Sequence, residues 1–323
     1  MLLRSCPARH TPARFRRFPT ATLCLVAVLG VLSPVAAQTV GTVTARPAES
    51  QASFEEAKLL YDGGQYAAAE RAFDRFLDEY PRDARAPEAL FFQAESALAT
   101  DDDRGAAALF GRFERQYPSH PYASRARLAL GRYYYARSDD DRAEVALAAA
   151  ADAPGPADDR AEAAYLLGLV HRRQDRPDAA LAAFERASVD DTPSAPLALY
   201  AAGSVYADRS DWTRAADAFG ALAQRYPRSA EDARAGLALA EALIRSGRLA
   251  DGAREAERRR GSLTGEEAAR GALLAGETWL RLGDDRADAA LADVPSDSRY
   301  ARRAALARGR VASARGDFAA ALT

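Results

Sequence analysis

Two cysteines, one lysine and no asparagine occur in 323 residues. Both cysteines, Cys6 and Cys24, lie within the first 37 positions. A chain that sheds that segment has no disulfide and no thiolate ligand, and must hold its fold by packing alone. Histidine is almost as scarce. His120 lies in a loop between Pro118 and Pro121, and His171 takes a helical position that holds Leu60, Tyr134 and Tyr206 elsewhere, so it is expected to pack rather than catalyse. There is no Gly-rich phosphate loop, no HExxH pair and no nucleophile elbow. Neither enzymatic activity nor a metal or cofactor is therefore expected. The apolar run Ala21 to Leu32 falls well short of the ~20 residues that cross a bilayer, and Pro34 follows it. Positive charge is nearly all arginine, and 44 bases against 46 acids give a net charge of −2. Without the leader arginines described next the balance is about −7, which argues against a nucleic-acid partner.

The first 37 residues read as an export signal. Arg4, Arg9, Arg14, Arg16 and Arg17 form a basic start, the apolar run follows, and Ser33-Pro34-Val35-Ala36-Ala37 supplies small residues before Gln38. Residues 38–49 are small and polar, with Pro47, and read as a linker. The first helix is expected to begin near Ser50 to Ser53, with Ser53 and Glu56 as a capping box.

What the chain has in abundance is a repeated frame. Gly131, Asp140, Ala143, Leu147 and Ala150 recur 37 positions later as Gly168, Pro177, Ala180, Phe184 and Ala187. Extended both ways, the first small position reads Ala57, Ala94, Gly131, Gly168, Gly203, Ala240, Gly276 and Gly309. Twelve residues on stand Ala69, Ala106, Ala143, Ala180, Ala215, Gly252, Asp288 and Ala321. Sixteen on stand Phe73, Phe110, Leu147, Phe184, Phe219, Ala256 and Ala292. Small residues let two helices of a hairpin cross closely, and the bulky residue fills the space beside the crossing. A period of 34 to 37 residues built from two helices is that of a solenoid. The pattern fades after Leu249. Asp101-Asp102-Asp103 and Asp139-Asp140-Asp141 fall in turns between helices; their spacing is not that of an EF-hand, and capping of the next helix is expected. Arg258-Arg259-Arg260 closes a helix, where arginine is favourable in itself. Thr264 and Glu267 offer a second capping box.

These matches resemble the tetratricopeptide repeat (TPR). Unit one carries them as Ala57, Gly64-Gln65-Tyr66, Ala69, Phe73 and Pro81, and unit five as Gly203, Trp212, Ala215, Phe219 and Pro227. The resemblance implies an all-α fold, a right-handed superhelical solenoid of about eight helix-turn-helix units over 50–323. The units fall near 50–83, 87–120, 124–155, 161–193, 196–229, 233–261, 265–296 and an incomplete 298–323. It also implies a binding groove on the concave face, lined by the first helix of each unit. Carried over by position, that face comprises Phe54, Tyr61, Phe91, Glu95, Arg132, Tyr135, Tyr165, Arg173, Tyr200, Glu241, Arg245, Glu277 and Arg281. The partner would be a protein or peptide. The subtype that clamps a peptide carboxylate needs Lys and Asn at set positions, and this chain has Lys58 alone and no Asn. Phe73-x-x-Phe76-Leu77 and the endings Tyr80-Pro81, Tyr117-Pro118 and Tyr226-Pro227 resemble bacterial cell-envelope members, namely outer-membrane assembly lipoproteins and the periplasmic protein associated with Tol-Pal. The expectation is an exported, non-catalytic scaffold of the envelope. The alternative is the repeat-bearing N-terminal part of a longer protein: the eighth unit stops before its bulky residue, so continuation past Thr323 or coverage by another chain is expected.

Overall fold

The computed structural model describes residues 45–317. Residues 1–37, where an export signal is expected, and residues 318–323, where the eighth unit's second helix is expected, lie outside the described residues. Fifteen α-helices follow one another, with no strand among the described residues. They pair as α1 (Ala45–Asp62) with α2 (Tyr66–Glu79), α3 (Ala86–Ala99) with α4 (Asp103–Gln116), α5 (Ala123–Ala136) with α6 (Asp140–Asp152), and α7 (Ala157–Arg173) with α8 (Pro177–Ala187). Then come α9 (Ala195–Asp208) with α10 (Trp212–Arg225), α11 (Ala230–Arg245) with α12 (Leu249–Arg259), α13 (Gly265–Leu282) with α14 (Arg286–Ala292), and α15 (Ala301–Ala314). We call the helices of each pair A and B.

The first helix begins at Ala45, so residues 45–49 are helical and Ser53 lies well inside α1 rather than capping it. Thr264 does stand at the N-cap of α13, but its side chain accepts no capping hydrogen bond. The aspartate-rich turns cap as expected. Asp102 accepts from the Gly105 amide at 2.9 Å, Asp139 from Arg142 at 3.4 Å and Asp211 from Arg214 at 3.2 Å, which satisfies free N–H groups at the start of α4, α6 and α10.

Counting each unit from its first small residue as zero, all eight A helices end in the same way. The residue at +7 has positive φ: Gly64, Asp101, Ser138, Asp175, Ser210, Gly247, Gly283 and Gly316. In unit one the amide of Gly64 donates to the Tyr61 carbonyl at 2.9 Å and that of Gln65 to Leu60 at 2.9 Å; the same two bonds close every later unit, down to Gly316 on Ser313 at 3.1 Å and Asp317 on Ala312 at 3.0 Å. This is the Schellman ending, which satisfies two orphan carbonyls and reverses the chain.

Helix crossings follow the frame. A Cβ on Gly203 would come within 2.6 Å of Phe219, and Gly131 and Gly168 stand equally close to Leu147 and Phe184. Unit seven departs from it. Ala287 and Leu291 are buried there, and Leu291 packs on Gly276, so the second helix is shifted by one residue from the expected Asp288 and Ala292. The turn keeps its left-handed residue at +7 and loses one position after it.

Each helix packs mainly on its neighbours in sequence, and α5, α7, α9, α11, α13 and α15 also pack A upon A; no B helix packs on the next B helix to that extent. The A helices are thus the closer-set layer. The interior is correspondingly local: four apolar clusters succeed one another along the chain, as expected when a unit meets only its neighbours.

Candidate functional site

The A helices carry a register of charge. The residue at +1 of one unit meets the residue at −6 of the next. Glu95 approaches Arg125 at 3.9 Å, Arg132 grips Glu162 through two bonds of 2.6 and 2.5 Å, Glu241 meets Arg270 at 2.6 Å, and Glu277 holds Arg303 through two bonds of 2.6 Å. These rungs link successive A helices along one face. In the middle of the array they stop. Leu169 and Leu197 occupy the rung between units four and five, and Ser204 and Arg234 the next. The Ser204 hydroxyl donates to the Tyr200 carbonyl at 2.9 Å, and exposed Arg234 has no ion pair among the described residues.

A second register lies one turn further along each A helix, on the same face. At +5 of unit four, Arg173 reaches Asp140, which is +9 of unit three. Its Nε donates to Asp140 Oδ2 at 3.2 Å, both terminal nitrogens donate to the Tyr135 carbonyl at 3.3 Å, and the guanidinium lies 4.3 Å from the Tyr135 ring centre. Arg245 is its counterpart in unit six. Trp212 stands there in place of the aspartate, and the guanidinium stacks on it at 4.0 Å. Leu249 holds the matching position for Arg281, which is exposed, with no partner among the described residues.

The residues expected on the groove thus divide by register. At −3, Phe91 is fully buried against Phe110 and Phe113, with ring centres 5.7 and 5.8 Å apart. Phe54 lies on Phe73 and Phe76, Tyr165 on Phe184 and Tyr200 on Phe219, each half-buried. This position is turned toward its own B helix, so Phe91 belongs to the core and the other three offer only part of a ring. At +1, Glu95, Arg132, Glu241 and Glu277 are engaged in rungs. At +4 and +5, Tyr61, Tyr135, Arg173, Arg245 and Arg281 line the face. The Tyr61 hydroxyl lies 3.5 Å from Glu95, and burial with that carboxylate nearby raises its pKa. The −6 residues Arg125, Glu162, Arg270 and Arg303 were not anticipated. Their signal was available in opposite signs at +1 and −6 of adjacent units.

The other marked residues have structural duties. His171 is buried, with Nδ1 unpaired, and its pKa falls through desolvation and the nearby Arg176. Arg258, Arg259 and Arg260 are all ion-paired, to Glu255, to Asp232 with Glu255, and to Asp293.

Two hollows open on the array. One of about 980 Å³ lies among α10, α11 and α12, and its arginines Arg248, Arg254, Arg258 and Arg286 are all paired to carboxylates. The other, of about 480 Å³, lies between units two and three over Leu98, Ala107, Phe110 and Ala136, with Asp103 at its edge.

Comparison with known proteins agrees with this architecture. Tetratricopeptide-repeat families match residues 51–83, 165–230 and 200–262, and a tetratricopeptide repeat-like domain matches 78–192. No curated protein matches the chain. Among solved structures, the C-terminal part of a TPR repeat-containing protein from Cytophaga hutchinsonii superposes with a TM-score of 0.56 at 16% identity, covering 78% of this chain and 98% of that one. A tetratricopeptide repeat protein from Parabacteroides merdae covers 82% of this chain and 99% of its own, with a TM-score of 0.48 at 14% identity.

Proposed function

Because residues 51–262 carry tetratricopeptide repeats in an all-helical solenoid, we propose that this protein is a non-catalytic scaffold that binds a partner protein or peptide along the face of its A helices. The observation that carries this reading is the second register. It places tyrosines and guanidiniums in one line, with Arg281 unmatched, and Arg234 is unmatched in the first register beside it. Aromatic rings and arginine provide area and directed hydrogen bonds at interfaces. In this reading the leader directs the chain out of the cytoplasm, the chain begins at Gln38 after cleavage, and the partner is a component of the cell envelope. The resemblance of the Tyr-Pro endings and the Phe-rich B helix to envelope members supports that location. No helix among the described residues is long and apolar enough to cross a membrane.

Photo-crosslinking tests the face. A photoreactive residue at Tyr135 or Arg281 should give adducts in an envelope extract, and one at Val145, which is 72% exposed on a B helix, should not. Equal adducts from Val145 would exclude the A face as the binding surface. N-terminal sequencing of the envelope fraction tests export: Gln38 is expected, and an intact Met1 in the soluble cytoplasm would refute it.

A further inference from the structure

The hollow between units two and three has a filled counterpart one unit along. Between units three and four, Arg173 extends from +5 to the aspartate at +9 of the preceding unit, lies over the +4 side chain and donates to the +4 carbonyl. Guanidiniums take related positions at two more junctions: Arg245 stacks on Trp212, and Arg315 pairs with Asp285 at 3.2 Å. Between units two and three the same acceptors are present without the base. Ala136 stands at +5, where Arg173 stands in unit four, and Asp103 at +9, where Asp140 stands in unit three. Asp103 has no ion pair among the described residues. Leu98, at +4, is 39% exposed. Arg132 and Arg137 also border the hollow, but neither pairs with Asp103: Arg132 is held by Glu162, and Arg137 stacks on Tyr133 at 4.7 Å.

We propose that this hollow is a seat for an arginine side chain supplied by the partner protein. The seat rests on the scaffold reading above and gives it a chemistry. The partner's guanidinium pairs with Asp103 and donates to the Leu98 carbonyl, while its methylenes cover Leu98, Ala107 and Ala136. An arginine fits better than a lysine because its planar fork can meet a carboxylate and a carbonyl together while its stem lies on apolar surface. About 480 Å³ also leaves room for the partner's backbone on either side.

The test uses the full chain with isotope-labelled methyl groups. It is titrated with the capped peptide Gly-Ala-Arg-Ala-Gly and with the same peptide carrying lysine or the uncharged isostere citrulline. The arginine peptide should give saturable shifts at the Leu98 and Ala136 methyls, and the other two much weaker ones. Asp103→Asn should raise the half-saturation concentration roughly tenfold, as loss of a charge-assisted pair implies. Ala136→Arg should fill the seat from within and abolish saturation; Ala136 is exposed at the end of α5, so the variant should fold. Equal shifts with citrulline, shifts that never saturate, or unchanged binding to Ala136→Arg would overturn the seat. A random peptide library selected on the same protein separates the two readings. Peptides held on the A face with no dependence on Asp103 or Ala136 would overturn the arginine seat and leave the scaffold standing. Retention of no peptide at all would overturn both.

Discussion

Units two and six have the same turn but fill their interiors by opposite means. At −8, +15 and +19, unit two carries Ala86, Leu109 and Phe113; unit six carries Asp232, Glu255 and Arg259. Phe113 is fully buried and lies edge-on to Phe91. Arg259 is 12% exposed and pairs with Asp232 through bonds of 2.7 and 2.6 Å and with Glu255 at 2.8 Å. The A helix makes room for it: a Cβ on Gly236 would come within 2.7 Å of the Arg259 stem. One backbone frame thus accepts an aromatic interior or an ionic one. The first gains from area and dispersion. The second must offset the desolvation of three charges and fails if any member is removed.

The largest expected effects break these two interiors. Phe113→Ala should cost ~3–5 kcal/mol as a cavity, and Arg259→Met ~3–5 kcal/mol by leaving the buried Asp232 carboxylate uncompensated and Glu255 with only the exposed Arg258. Only the second should be repairable. Unit five has Ala195, Ala218 and Leu222 at the same three positions. The triple variant Asp232→Ala, Glu255→Ala, Arg259→Leu should therefore recover wild-type stability or exceed it. Denaturant unfolding with hydrogen exchange read unit by unit measures all three. A triple variant as weak as Arg259→Met would show that the ions are needed for more than filling space.

A smaller effect tests the repeat frame itself, in unit three. Ala143 is fully buried at the helix crossing and Ala136 is exposed. Ala143→Leu should cost ~1–3 kcal/mol, and Ala136→Leu should stay within about 0.5 kcal/mol. Equal midpoints would contradict the frame.

The smallest effect concerns pH at the aromatic end. Asp83 accepts from the Arg85 amide at 2.9 Å, from Nε at 2.8 Å and from Nη2 at 2.9 Å, while Nη2 also reaches Ser50 at 2.9 Å. The Arg85 guanidinium holds the Asp83 carboxyl well below the usual carboxylate range. A depressed carboxyl pKa contributes stability that is full above the unfolded value, ~4, and is lost as pH falls through the folded value. Asp83→Asn should cost about 1–2 kcal/mol at neutral pH, and the two melting curves should converge in strong acid. A difference that persists unchanged would assign the effect to something other than ionisation.

The fold could be read from the sequence because the residues that set it act locally. Gly131 over Leu147, Gly168 over Phe184 and the capping aspartates recur at fixed spacing. The left-handed turn residue escaped notice since glycine, aspartate and serine all fill it, and each tolerates that conformation or sits in a turn for a different reason. The shift in unit seven was hidden because Ala287 and Leu291 flank Asp288 and Ala292 with residues equally small or apolar. The candidate face was less legible. A ring at −3 reads alike whether it faces a partner, as expected of Phe91, or its own B helix, as found. A charge at +1 reads as free until its mate 26 to 30 residues away is brought beside it.

That ladder also decides how the array yields under load. Rungs tie units two to four and six to eight along the A edge, while leucines and an unmatched arginine stand at the two junctions between them. The edge is a strap with rungs on either side of a middle that has none, so bending is expected to concentrate between units four and six. Along this edge, salt acts on the rungs. Exposed pairs weaken as the screening length shrinks below ~8 Å, while leucines are indifferent to it, so rising ionic strength evens out the stiffness of the edge and spreads its curvature along the chain.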